Sequence, residues 1–80
     1  MIEIKDLLDG EIYHGKSVET IARRLYGQNA KVRKEHQSAF EPVYAIYTVT
    51  KTDRYGTHVL TRFYTTDFEM PKVKTKAERI

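Results

Sequence analysis

Four residues near the start of the chain have the spacing of a phosphate-binding loop. The pattern GxxxxGKS is matched by Gly10, Gly15, Lys16 and Ser17. In such a loop, backbone N–H groups cradle phosphates, the lysine neutralises charge and the hydroxyl binds magnesium. The loop follows a buried apolar strand, whereas the preceding segment MIEIKDLLD is short and acidic, and 80 residues are too few for that fold. We therefore interpret Gly15 and Lys16 as a turn and Ser17 as a helix cap.

No set of side chains has the spacing of a catalytic or metal site. His14, His36 and His58 are scattered, with no i, i+4 pair and no carboxylate at ligand spacing. Cysteine is absent, which excludes a disulfide scaffold and a cysteine-based zinc or redox site. The carboxylates of the second half are too dispersed to pair as acid and base. We expect no catalysis, no metal ion and no cofactor.

Positive charge is concentrated in one segment and in the tail. The net charge of +3 divides into −3 over residues 1–13, +4 over 14–36, −1 over 37–70 and +3 over 71–80. No apolar stretch is long enough to cross a bilayer, and the start lacks the features of a signal peptide, so we expect a cytoplasmic protein without a membrane partner. The cations that we predict to bind nucleic acid are Arg23, Arg24, Lys31, Arg33 and Lys34.

A helix over residues 17–26 is the clearest structural element. Its apolar residues, Val18, Ile21, Ala22, Leu25 and Tyr26, recur at the spacing of one buried helical face. Ser17 is a favourable N-cap, and Gly27 stands where a left-handed residue ends a helix. A second helix is predicted over residues 30–39, with Pro42 preventing its extension. The start alternates like a strand at Ile2 and Ile4 but also suits a helical turn ending at Gly10, which we favour.

Two segments rich in β-branched and aromatic residues predict a hairpin. They span 43–51 and 57–66, and TDRYG between them supplies turn residues. The tail, 71–80, alternates charges with little apolar content, so we expect it to be flexible. The predicted fold is α+β: a single domain over 1–70, with two or three short helices followed by a long antiparallel hairpin.

The segment IARRLYGQNAKVRK resembles a helix-turn-helix. Ile21 and Ala22 stand where the first helix packs on the second, Gly27 lies at the turn, and Val32 stands ten residues after the alanine. The resemblance implies a second helix that enters the major groove, with Lys31 and its neighbours near bases. Arg23 and Arg24 would then reach phosphates, and the hairpin would act as a wing.

The overlapping segment GKSVETIARRLYGQNAKVRK resembles a LysM module. Modules of this family open with a Gly-Asp-Ser/Thr-Leu turn, continue into a helix carrying Ile-Ala and ending in Tyr-Gly, and have a second helix. The resemblance implies binding of N-acetylglucosamine chains beside Gly15, Lys16, Ser17 and Val18. Lys16 replaces the usual acidic residue at this turn.

The chain is also rich in aromatic residues, with six tyrosines and three phenylalanines. A sheet bearing Tyr44, Tyr47, Phe63 and Tyr64 is suited to stacking bases or to forming a protein interface. The sequence therefore predicts a non-enzymatic binding module. We expect a nucleic-acid-associated or regulatory role. One alternative is a protein-interaction module that acts through the hairpin, either as a homodimer or as an inhibitor or adaptor of phage type. The other alternative is LysM-like glycan binding.

Overall fold

The computed structural model describes residues 1–38, 40 and 43–67. In this part of the chain, five strands and one helix follow each other in the order β1, β2, α1, β3, β4, β5. Their bounds are β1 Ile2–Asp6, β2 Ile12–Gly15, α1 Val18–Tyr26, β3 Lys31–Gln37, β4 Ala45–Asp53 and β5 Gly56–Thr65. The predicted fold, two or three helices followed by a hairpin, is therefore wrong. The described part of the chain is mostly antiparallel sheet with one short helix.

The strands form one sheet in the order β2-β1-β5-β4-β3. Every neighbouring pair is antiparallel. The β1–β2 hairpin and the β4–β5 hairpin are joined where β1 pairs with β5, at Lys5 with Tyr64 and Asp6 with Phe63. This pairing brings the two ends of the described chain together in the middle of the sheet.

The predicted first helix is confirmed, together with its cap residues. The Ser17 side chain accepts a hydrogen bond from the Thr20 N–H at 3.1 Å, as an N-cap does. Gly27 ends the helix with a φ of 104° and donates its N–H to the Arg23 carbonyl. Val18, Ile21 and Ala22 are buried, so α1 packs one apolar face against the sheet.

The predicted second helix is wrong, because residues Lys31–Gln37 form the edge strand β3. β3 pairs with β4 from Lys31 opposite Thr50 to Gln37 opposite Ala45, with a bulge between Lys34 and His36. Without this partner, one side of β4 would carry unpaired backbone groups. Tertiary pairing therefore overrides the helical preference of the segment. The helix-turn-helix and LysM resemblances both lose the second helix that they require.

The prediction of a helical turn at the start is also wrong. Ile2 and Ile4 alternate in the strand β1, which was the alternative to the helical turn. Leu7 and Leu8 lie in the turn that follows. The hairpin prediction is confirmed: β4 and β5 pair from Ala45 opposite Thr65 to Asp53 opposite Gly56. The predicted flexible tail, 71–80, lies outside the described residues.

The hydrophobic core lies between α1 and one face of the sheet. Its buried members include Ile21 and Ala22 from the helix and Ile4, Val49 and Phe63 from β1, β4 and β5. We call the opposite side of the sheet the open face, because no helix of the described residues lies over it. Along each strand the side chains alternate between these two sides.

A buried carboxylate ties the helix to the sheet. Asp6 is completely buried and accepts hydrogen bonds from the Thr61 hydroxyl, from the Tyr26 hydroxyl at 2.7 Å and from the Leu8 N–H at 2.8 Å. Burial raises the pKa of Asp6, but these hydrogen bonds together hold it below its usual value. Burial, followed by the bond to Asp6, raises the pKa of Tyr26 to about 12. Asp6 thus joins β1, β5, α1 and the turn after β1.

Candidate functional site

The five cations predicted from the sequence lie on different surfaces. Arg23 and Arg24 are exposed on α1, and the Arg24 guanidinium donates to the His14 carbonyl at 2.6 Å. Lys31 and Arg33 project from β3 onto the open face, because Arg33 pairs with Thr48. Lys34 pairs with Tyr47 and points to the opposite side. The structure therefore brings Lys31 and Arg33 together and separates them from the two helical arginines.

The open face carries two rows of side chains that run across the strands. The first row joins all five strands, and its members in spatial order are His36, Ile46, Tyr64, Lys5 and Ile12. The second row crosses β3, β4 and β5, and its members are Arg33, Thr48 and Arg62. Two residues along a strand separate the rows, a distance of about 7 Å. An aromatic and an arginine of β5 therefore lie side by side on the open face.

Three rings form an aromatic stack on this face. Tyr44 and Tyr64 have ring centroids 5.4 Å apart and an angle of 27° between their planes. His36 lies against Tyr44 at 5.6 Å, tilted by 44°. Both tyrosines are half-buried and His36 is exposed, so the stack has a surface that a further ring can contact.

Glu35 organises the arginines beside the stack. Its carboxylate receives the Arg62 Nε–H at 3.1 Å and lies 3.8 Å from an Arg33 guanidinium nitrogen. The Thr48 hydroxyl is buried and forms no hydrogen bond of normal geometry among the described residues. Its nearness to the Glu35 carboxyl is the largest cause that lowers the pKa of Glu35, and the hydrogen bond from Arg62 is the second. The Glu35 carboxylate thus lies close to two guanidinium groups on the open face.

The open face is positively charged overall. Its cations are Lys5, Lys31, Arg33 and Arg62, and its carboxylates are Glu3 and Glu35. An arginine has five N–H donors, so an ion pair with Glu35 leaves most of them available to another anion. The face can therefore bind an anionic ligand and stack an aromatic group of that ligand at the same time.

The four residues of the GxxxxGKS pattern have structural roles instead. Gly10 has a φ of 76° in the turn between β1 and β2, and Ser17 caps α1. At Gly15, a Cβ atom would lie 2.5 Å from Cγ1 of Ile21, whose side chain is completely buried. Gly15 therefore allows β2 to approach the helix closely.

The close approach at Gly15 predicts a stability effect. We expect Gly15→Ala to lower the free energy of unfolding by about 1–3 kcal/mol, because Ile21 has no free space into which to move. Chemical denaturation monitored by circular dichroism measures the change. The matched control is Lys16→Ala at the exposed neighbouring position, for which we expect a change within about 0.5 kcal/mol. An unchanged denaturation midpoint for Gly15→Ala would contradict this assignment.

Other candidate chemistry is weaker in the described residues. They contain no group of three potential metal ligands and no helix long and apolar enough to cross a membrane. His58 contacts Asp53 at 3.2 Å beside the β4–β5 turn, where the carboxylate also accepts the Tyr55 N–H. This arrangement supports the turn and leaves no nucleophile or base positioned for a reaction.

Two of the four aromatic residues predicted for the sheet surface lie in the aromatic stack, and several of the residues around them were not predicted. Tyr44 and Tyr64 lie on the open face, whereas Phe63 is buried under the helix and Tyr47 lies on that same side. Burial, followed by the charge of Glu19, raises the pKa of Tyr47. The residues missed were Lys5, His36 and Arg62. The alternation of Arg62 and Tyr64 with Phe63 along β5 was the one feature that indicated a shared surface.

Comparison with family models, with curated proteins and with solved structures found no match for this chain. Inference about its function therefore rests on the geometry of the open face.

Proposed function

We propose that this protein binds nucleic acid across the open face of its sheet. The observation that carries the proposal is the aromatic stack of Tyr44, Tyr64 and His36 next to the arginines of the second row. Proteins that bind nucleic acid without strong sequence preference combine such stacking surfaces with cations that follow the phosphates. The role is that of a binding module without catalysis, and it agrees with the cytoplasmic location expected from the sequence.

Phosphates would be bound by the cations of the open face. Arg33 and Arg62 lie on either side of the Glu35 carboxylate, so their remaining N–H donors can bind the same stretch of phosphates. Lys31 lies two residues before Arg33 in β3 and on the same face of the sheet. Binding through these residues releases counterions from the nucleic acid, so the affinity falls as the salt concentration rises.

This interface differs from the one predicted from the sequence. It retains Lys31 and Arg33 and adds Arg62 and Lys5. Arg23 and Arg24 lie on the helix, on the other side of the sheet, and a ligand on the open face does not reach them. The recognition element is therefore a sheet surface and not a helix.

Replacing Tyr64 tests the stacking part of the proposal. We expect Tyr64→Ala to weaken binding of a short fluorescently labelled single strand about ten-fold, since stacking on an aromatic side chain contributes about 1–3 kcal/mol per base. Fluorescence anisotropy at low and at physiological salt measures the affinity. Tyr64→Phe keeps the ring and should keep the affinity, and Tyr55→Ala, at the exposed turn residue after β4, is the control.

Circular dichroism of Tyr64→Ala checks whether the variant is folded. If wild-type protein does not bind the strand even at low salt, the proposal is wrong. Equal affinities of Tyr64→Ala and Tyr55→Ala would contradict the role of the stack.

The two alternatives remain predictions with their own surfaces. An exposed apolar turn at Leu7 and Leu8, next to Val59, favours the protein-partner hypothesis. Sedimentation at several protein concentrations would test whether the protein associates with itself. The glycan hypothesis places its groove at Lys16 and Ser17, beside a depression of about 200 Å³. Chemical-shift changes of these residues on addition of chitin oligomers would support it. Either result, together with absent oligonucleotide binding, would replace the present proposal.

A further inference from the structure

A depression on the open face lies between β1 and β5 and beside β2. It has a volume of about 170 Å³ and is lined by residues 3–5 of β1, by Ile12 of β2 and by residues 64–66 at the end of β5. Tyr64 therefore belongs both to the aromatic stack and to the wall of this depression. The depression lies in the first row of the open face, on the side of Tyr64 away from Ile46.

From this geometry we infer that the depression holds one unpaired base, and that it prefers bases with an amino group. The inference rests on the proposed function and names the ligand class more closely, as single-stranded nucleic acid. A base in a duplex is stacked on its neighbours and shows only its edge. A base that enters the depression must be unstacked, as the bases of single strands are.

The walls of the depression suit a flat aromatic ligand. The Tyr64 ring contacts Tyr44 within the stack, so a base next to Tyr64 continues the stack by one ring. Ile12 lies across the depression, paired with Lys5 on the neighbouring strand, and 46% of its surface is exposed. Insertion of a base would cover this apolar side chain, which favours binding.

The polar residues at the rim decide which base fits. The Glu3 side chain is about half exposed, and its carboxylate lies 4.0 Å from the His14 imidazole. A carboxylate only accepts hydrogen bonds, so it pairs with the amino groups of cytosine, adenine or guanine. Thymine and uracil lack an amino group, and their one ring donor, the N3–H, lies between two carbonyl oxygens that repel the Glu3 carboxylate. Lys5, on the same face of β1, offsets the repulsion between Glu3 and the phosphates.

Comparing oligo(dC) with oligo(dT) of equal length tests the inference. We expect the wild-type protein to bind labelled oligo(dC) about five-fold more tightly than oligo(dT) at neutral pH, the lower end of the range for a carboxylate-to-base contact. In Glu3→Gln the preference should disappear, because the neutral amide no longer selects for an amino donor. Binding of oligo(dT) should stay equal or become slightly tighter, since one carboxylate has been removed.

The matched control is Glu19→Gln, which removes an exposed carboxylate from the helix and should preserve the preference. Equal wild-type affinities for the two oligonucleotides would overturn the base site and leave the proposed function standing. A preference that persists in Glu3→Gln would show that another residue selects the base, which also overturns the inference. Absence of binding to both strands would reject the proposed function itself.

Discussion

Replacing Asp6 by alanine should lower the free energy of unfolding by about 3 kcal/mol, the largest stability effect that we expect for a single residue. The substitution removes the acceptor of the Tyr26 and Thr61 hydroxyls and of the Leu8 N–H. Each buried donor that is left without a partner costs about 1–3 kcal/mol. Urea denaturation of the two proteins, monitored by circular dichroism, measures the difference.

Asp9→Ala is the matched control for Asp6→Ala. Asp9 lies in the same turn and also accepts two hydrogen bonds, from the Glu11 N–H and the Tyr13 hydroxyl, but it is exposed. Water replaces these partners, so we expect a loss of about 1 kcal/mol or less. Equal losses in the free energy of unfolding for Asp6→Ala and Asp9→Ala would show that the buried hydrogen bonds of Asp6 contribute no more than exposed ones.

Asp6 also gives the stability a defined dependence on pH. Its pKa in the folded protein lies below the ordinary value of 3.8, so the ionised carboxylate stabilises the fold at every pH above that value. This contribution is lost as the pH falls through the lower pKa of the folded state. Asp6→Asn cannot ionise, and the difference in stability between wild type and this variant should shrink below pH 3.8. A difference that is constant from neutral to acid pH would contradict the assignment.

Reversing both arginines of the second row should reduce the affinity for single-stranded DNA about ten-fold or more. In the double variant Arg33→Glu and Arg62→Glu, two phosphate contacts become repulsions. The dependence of affinity on salt should become shallower as well, because fewer counterions are released on binding. Fluorescence anisotropy over a series of salt concentrations gives the affinity and the salt dependence together.

Two further variants make this test specific to the open face. Glu35→Gln removes the carboxylate that competes with phosphates for both arginines, so it should strengthen binding. Arg23→Glu reverses an exposed charge on the helix and should change the affinity only slightly, through long-range electrostatic repulsion that salt screens. If Arg23→Glu weakens binding as much as the double variant does, the helical surface predicted from the sequence would be the interface.

The elements that sequence reasoning predicted correctly are those whose information is local. The helix from Val18 to Tyr26 contains its own apolar face, its cap at Ser17 and its end at Gly27. The β4–β5 hairpin likewise contains both strands and the turn between them. In each case the pattern that defines the element lies within about 20 consecutive residues, so no distant contact was needed to recognise it.

The segment of β3 shows where local reasoning fails. Its residues, KVRKEHQ, have no clean alternation of apolar and polar side chains, and several of them favour a helix. At the edge of a sheet, a strand needs few apolar residues, and charged side chains there protect against pairing with other molecules. The strand forms because β4 offers it a ladder of hydrogen bonds from Lys31 to Gln37, interrupted by one bulge. That ladder is a property of the assembled sheet.

The amino-acid sequence was enough to show that the chain is small, basic and without cysteine, that a capped helix begins after Ser17, and that a hairpin rich in tyrosine follows. Which residues share a surface depends on the tertiary structure. Strand order places Lys5 beside Tyr64, and strand register places Arg62 in one row with Arg33, although almost sixty residues separate the first pair along the chain. Contacts of this kind depend on the pairing of distant strands, which the pattern within any single segment does not encode.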